Sequence, residues 1–144
     1  MSTPIEVARN ILAEQPFSRR LGIRLTAFGD GSAELEAPLT ADLKQQHGFA
    51  HGGVVSALAD GGMSFAAGSV LGTSVLTAEY KINFLRPAQG DRLVARGRVI
   101  SHSQRQAVCT CEVWSLSEAG ETLCAVAMGT VVIPHPGAVQ TRRD

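Results

Sequence analysis

His47-Gly48-Phe49-Ala50-His51-Gly52-Gly53, followed by VVSALADGGMSFAAGSVL over residues 54–71, is the stretch on which the architecture turns. Gly48, Gly52 and Gly53 make a loop in which backbone amides can come close to a ligand. The run behind it is long enough for a helix and apolar on nearly every side, the pattern of a helix surrounded by protein rather than lying on a surface. Ser56, Asp60 and Ser64 recur every four residues and form one narrow polar stripe along it. A carboxylate inside such a helix is costly unless it is hydrogen-bonded or used, so Asp60 is the first residue to question. Gly61 and Gly62 each cost roughly 0.5–1 kcal/mol relative to Ala in a helix interior. Something must therefore pack close against that turn.

The same stretch carries a geometric constraint. A helix starting near Gly52 offers its first free amides, at the positive end of the helix dipole, to a carbonyl oxygen or an oxyanion. Gly52 and Asp60 are eight positions apart, about 12 Å along the axis at helical rise. One small reacting group cannot touch both in one chain. If both act on one bond, Asp60 comes from a second copy, and the reading requires a dimer.

Gln45-x-x-Gly48-x-x-His51-Gly52-Gly53 followed by Leu58-Ala59-Asp60 resembles the hotdog-fold acyl-CoA thioesterases of the phenylacetate-pathway, PaaI-like, type. The likeness continues through Asn83-Phe84-Leu85-Arg86-Pro87-Ala88-x-Gly90 and Ala127-Met128-Gly129-Thr130, so it runs from Phe17 to Pro134. The resemblance implies an antiparallel sheet wrapped around one long helix, two subunits sharing a continuous sheet, and a site across their interface. It implies a homodimer with shared sites, assembled as a homotetramer, that hydrolyses an aryl or medium-chain acyl-CoA with no cofactor beyond the coenzyme A of its substrate. Asp60 would be general base or nucleophile, and the sequence does not separate these roles. The Gly52 amide would hold the thioester oxygen and Gln45 the water or carbonyl, with His51 fixing the loop. Ser64 would bond the carboxylate or the water, or else its own helix backbone. Gly53, Thr77 and Phe49 would line the substrate site, Thr77 with its hydroxyl towards the water. Arg86, Ser103 and Arg105 fall where this family meets the nucleotide.

Bulk properties narrow the field. The chain has 144 residues, 44% of them hydrophobic, a size that fits one domain with a core. Thirteen basic and thirteen acidic residues cancel, so no charge imbalance favours nucleic acid or an anionic membrane as partner. The N-terminus lacks a secretory pattern, and the central run is interrupted by Asp60 and several Gly and Ser positions, which leads to a cytoplasmic expectation. Three cysteines cannot all pair. Buried free thiols are the expectation, and no metal site is suggested, because no further Cys or His stands at ligand spacing.

Along the rest of the chain, Thr3-Pro4-Ile5-Glu6 is a capping box with Pro at the first helical position. It starts an amphipathic helix over about 4–15, placed outside the domain or beside the acyl pocket. Phe17–Leu21 is a further turn with both end residues facing inward. Residues 22–28 and 32–37 alternate as strands joined by Gly29-Asp30-Gly31, with Ile23, Leu25 and Ala27 inward. A long strand over 75–86 should show Leu76, Ala78, Tyr80, Ile82 and Phe84 on one side. Residues 92–101, 105–116 and 121–133 form a meander, and a polar tail over about 135–144 is expected to be mobile. Strands around one apolar helix, without alternating units, make the class α+β with an antiparallel sheet. Two rivals remain: a hotdog hydratase or dehydratase, which needs a His paired with a carboxylate for abstraction from carbon, and a non-catalytic acyl-CoA binding protein. The HGG entry to the helix argues against the first. The short stretch before the first strand leaves no room for a DNA-binding domain in a sensor.

Overall fold

The computed structural model describes residues 1–136. From position 137 onward the tail expected to be mobile lies outside the described residues. Three helices, α1 (Pro4–Ala13), α2 (Pro16–Leu21) and α3 (Gly52–Leu71), accompany six strands: β1 (Arg24–Gly29), β2 (Ser32–Pro38), β3 (Leu76–Phe84), β4 (Arg92–His102), β5 (Gln106–Ser117) and β6 (Gly120–Val132). All strand pairs are antiparallel, in the order β1-β2-β4-β5-β6-β3. The sheet curls around α3, which packs chiefly on β4, β5 and β2. This is the hotdog fold. By length and composition α3 is apolar enough to cross a bilayer, but it is the core helix, with Leu58, Ala59, Met63, Ala66 and Ala67 fully buried.

Local chemistry explains the ends of the elements. Thr3 and Glu6 form the expected capping box, with the Thr3 N–H donating to Glu6 Oε2 at 2.7 Å and the Glu6 N–H to Thr3 Oγ1 at 3.4 Å. Pro16 starts α2, and Gly22 ends it at φ +70°, a conformation that suits glycine. The paired glycines of α3 have the cause that their position implied. A Cβ on Gly62 would sit 2.7 Å from Cys111 Sγ, and one on Gly61 would sit 2.7 Å from Leu35 Cδ1. On β4, a Cβ on Gly97 would run into the Gly62 carbonyl, so helix and sheet backbones touch directly there. The three cysteines are free and buried. Burial pushes the Cys109 thiol up to about 11 and Cys111 to about 12, so both are protonated core side chains at neutral pH.

Where the observed faces differ from the simple alternation, a bulge is responsible. The β1–β2 register shifts between Leu25 and Ala27, so Leu25 is buried, Ala27 is exposed and Phe28 packs on the core. The β3–β6 register shifts between Thr77 and Glu79. Val75 and Thr77 therefore point towards α3 with Tyr80 and Ile82, while Leu76 and Ala78 are exposed. Phe84 stays on the side of Tyr80 and Ile82 but lies beyond the cover of the core, 57% exposed. Phe17 also departs from expectation: at opposite ends of the six-residue α2, Leu21 is buried but Phe17 is 63% exposed.

The contact between Gly97 and Gly62 predicts that Gly97→Ala lowers unfolding free energy by roughly 1–3 kcal/mol, the usual cost of overpacking a filled core. Urea unfolding checks this, and an unchanged midpoint would mean that the helix can lift off β4 without strain.

Candidate functional site

The loop before α3 is tied by its own backbone and by one side chain. Gln45 and Phe49 close it with an N–H donated from Gln45 to the Phe49 carbonyl at 2.8 Å, and Gly48 turns it at φ +86°. Gln45 Oε1 accepts the His47 N–H at 2.5 Å and the Phe49 N–H at 3.4 Å. Its carbonyl oxygen is thus used internally, which leaves the NH2 group as the part able to donate to a ligand. His47 takes part through its backbone only, and its side chain is exposed.

His51 is the N-cap of α3, and its Nδ1 accepts the Gly53 N–H at 2.8 Å. An accepting Nδ1 requires the neutral ring with its proton on Nε2. The Val54 and Val55 amides turn back to the His51 carbonyl, at 2.9 and 3.3 Å. Among the described residues, therefore, the Gly52 N–H is the amide of the first turn without an acceptor. Gly53 was expected to contact substrate, but its amide is already committed to the cap. Gly52 borders a cavity of about 430 Å³ that Gln45, Phe49, Phe84, Arg86 and Cys124 also line.

Two turns further along α3, the polar stripe faces β3. Thr77 Oγ1 donates to Asp60 Oδ1 at 2.6 Å, and Ser56 Oγ meets the Tyr80 hydroxyl at 2.6 Å. Asp60 is half-buried rather than enclosed. No donor among the described residues reaches its second oxygen, and the side chain borders a cavity of about 200 Å³ with Phe17, Leu35, Ala57, Ser64 and Phe65. Ser64 Oγ donates to the Gly61 carbonyl at 3.2 Å, the backbone alternative, so its proton is not offered to Asp60. The Gly52 and Asp60 cavities have no lining residue in common, as the spacing along α3 requires.

The remaining expected residues fall at two places. Arg86 borders the Gly52 cavity, with Nη1 3.5 Å from the Leu123 carbonyl. Ser103 and Arg105 occupy the exposed β4–β5 turn, where Ser103 Oγ accepts the Arg105 N–H at 3.3 Å. That turn lies at the opposite end of the sheet, since Gln106 pairs with Val132, which pairs with Leu76 at the start of β3. Among the described residues no three His, Cys, Asp or Glu side chains cluster as a metal site. Tyr80 and Phe17 are the side chains at the site that pattern reading missed. The alternation placed Tyr80 on the inward face of its strand and Phe17 at an inward-facing helix end, but neither position carried a signal that separates a site residue from a core residue.

Comparisons with known proteins agree with this geometry. The sequence profile of the thioesterase superfamily matches residues 47–124, more than half of the chain and the part that carries Gly52, Asp60 and Thr77. The acyl-coenzyme A thioesterase PaaI of Escherichia coli is 30% identical over 97 residues, covering 67% of this chain and 69% of that one. A thioesterase family protein from Silicibacter pomeroyi superposes with a TM-score of 0.82 at 35% identity, covering 86% of this chain and 93% of the other. The phenylacetic acid degradation protein PaaI from Thermus thermophilus gives 0.72 at 30% identity, covering 83% and 100%. With the HGG-led helix, the carboxylate two turns along it and the curled antiparallel sheet all in place, the chain belongs to the thioesterase superfamily.

Proposed function

We propose that the protein is a cytoplasmic acyl-CoA thioester hydrolase of the PaaI-like type whose active site is completed by a second copy of the chain. The observation that carries this reading is the pair of groups left open on α3: an unpaired Gly52 N–H at its start and an Asp60 carboxylate with one oxygen fixed by Thr77 and one free. They line separate cavities in one chain, so a common substrate needs both from different subunits. β3 supports the pairing. Among the described residues it is an edge strand bonded only to β6, and exposed Leu76 and Phe84 mark its two ends. Antiparallel pairing of two β3 edges sets the start of one against the end of the other. The partner's β4–β5 turn then approaches this chain's Arg86, so Arg105, Ser103 and Arg86 form a basic, hydroxyl-bearing rim for the phosphates of coenzyme A. A hydratase would need a His paired with a carboxylate, whereas His51 Nδ1 is engaged by the cap and, among the described residues, no carboxylate bonds its ring.

In the proposed reaction, Asp60 takes a proton from water as the water oxygen bonds to the thioester carbonyl carbon. The Gly52 N–H of the other subunit and the Gln45 NH2 stabilise the oxygen as it gains negative charge. When the carbon–sulfur bond breaks, the thiolate leaves and Asp60 returns the proton to sulfur, giving a carboxylic acid and free coenzyme A. Thiolate is a good leaving group, so one base and one oxyanion site suffice. Thr77 is a positioning residue that holds the carboxylate.

Five measurements test this. Asp60→Asn should lower kcat on acyl-CoA by about 100-fold or more. Gly52→Pro should be comparably inactive, since it deletes the N–H at a first helical position that tolerates proline, after a residue at φ −60° and ψ 136° that already suits one. The two inactive variants mixed and allowed to exchange subunits should regain activity through the one intact site of each heterodimer. Verified heterodimers without activity would place both groups in the same chain's site, or in none. Thr77→Val should reduce kcat by roughly 10- to 100-fold, the value of a hydrogen bond to a charged group, with Thr77→Ser restoring most of it. A single turnover in oxygen-18 water should place the label in the product acid and none in Asp60. Label in Asp60 would instead identify it as the nucleophile.

A further inference from the structure

α1 is fastened to β1, not to α3. Ala8 and Leu12 are buried and Arg9 Nε donates to the Leu25 carbonyl at 3.0 Å, so α1 leans on the strand. Val7 and Ile11, one helical turn apart, are left over, and across from them is the C-terminal half of α3. The gap between the two helices is a cavity of about 390 Å³ walled by Val7, Ile11, Phe28, Phe65, Gly68 and Val75. Among the described residues, no charged side chain lines it.

Gly68 gives the cavity a second, independent mark. A glycine inside a helix is unfavourable relative to alanine, and Gly61 and Gly62 are explained by Leu35 and Cys111 pressing on them. Gly68 has no such neighbour: a Cβ there would meet only Val75 Cγ2, at 4.0 Å. What its missing side chain leaves is open floor in the cavity. The gap also shares Gln15, Ser64 and Phe65 with the cavity of Asp60, so the two spaces adjoin across these side chains.

We propose that this gap is the acyl chamber and that α1 is its end wall. The carbonyl stays at Asp60 while an uncharged medium-chain or aryl group passes Ser64 and Phe65 to lie between Val7, Ile11 and Gly68. At about 30 Å³ per water-sized group, the space holds about a dozen heavy atoms. Short acyl groups leave the chamber unfilled, and long ones meet α1. The inference rests on the hydrolase reading above and adds where the acyl group goes and what limits its size.

The test is kcat/KM of the full chain over straight-chain acyl-CoAs from acetyl to palmitoyl, with phenylacetyl-CoA alongside. The wild type should favour octanoyl and its neighbours over both ends of the series. Gly68→Leu fills the floor and should lower the octanoyl-to-propanoyl ratio by about tenfold or more, in keeping with the cost of misfitting an apolar pocket. Ile11→Ala removes part of the wall and should move the optimum to longer chains. Val7→Phe narrows the gap from the half-exposed side of α1 and should reproduce the Gly68→Leu result, which guards against a folding defect in that variant. Ratios that stay constant in these variants, or that fall equally at every length, overturn the chamber while leaving the hydrolase intact. A wild type inactive on the whole series overturns the hydrolase reading itself, and the chamber with it.

Discussion

The contact between the Gly62 carbonyl of α3 and Gly97 of β4 sets everything else in place. A helix ordinarily stands off a sheet by the width of the side chains between them. Here no side chain intervenes, so the depth and rotation of α3 are fixed at one point, with Cys111 and Leu35 closing around it. Residues two apart on a helix lie on nearly opposite faces. Pressing Gly62 into the sheet therefore turns Asp60 away from the centre of the core and towards β3, where Thr77 receives it.

That rotation explains why polar groups survive on an apolar helix. Ser56 and Asp60 each find a hydroxyl on β3, and Ser64 bonds its own backbone. What the arrangement provides is a carboxylate with one oxygen held and one free, on the side of the sheet that ends in an open edge. At the start of the same helix, the His51 cap takes the Gly53 amide and the His51 carbonyl takes two more, so capping itself isolates the Gly52 N–H. Among the described residues this leaves a donor and an acceptor without partners, separated by more than two turns of one rigid helix, and in the proposed reaction they meet one substrate only across a pair of molecules.

In the proposed chamber α1 contributes a wall rather than chemistry. Its buried stripe is spent on β1, and its second apolar stripe, Val7 and Ile11, borders a space that adjoins the cavity of Asp60. In the proposed reaction the division of labour is physical: rigid backbone contact at the centre of α3 for the reacting groups, and a looser helix-to-helix gap at its far end for a group whose size varies.

Much of this was legible in the sequence because it is local. The capping box at Thr3, the hairpin at Gly29-Asp30-Gly31, the helix from Gly52 and the close packing implied by Gly61-Gly62 all follow from propensity, periodicity and glycine placement. The separation of Gly52 from Asp60 follows from helical rise alone. Tertiary structure decided what depends on a partner strand. Bulges at Thr26 and Ala78 exist only in relation to β2 and β6, and they reverse the faces that strict alternation assigns, which brings Thr77 rather than Ala78 to Asp60. The commitment of the Gly53 amide to His51, the pairing of Ser56 with Tyr80 and the gap beneath α1 are likewise facts of three-dimensional approach. A one-dimensional pattern records which residues share a face, but a single extra residue in a strand moves that face, and only the neighbouring strand's hydrogen bonds fix where the extra residue falls.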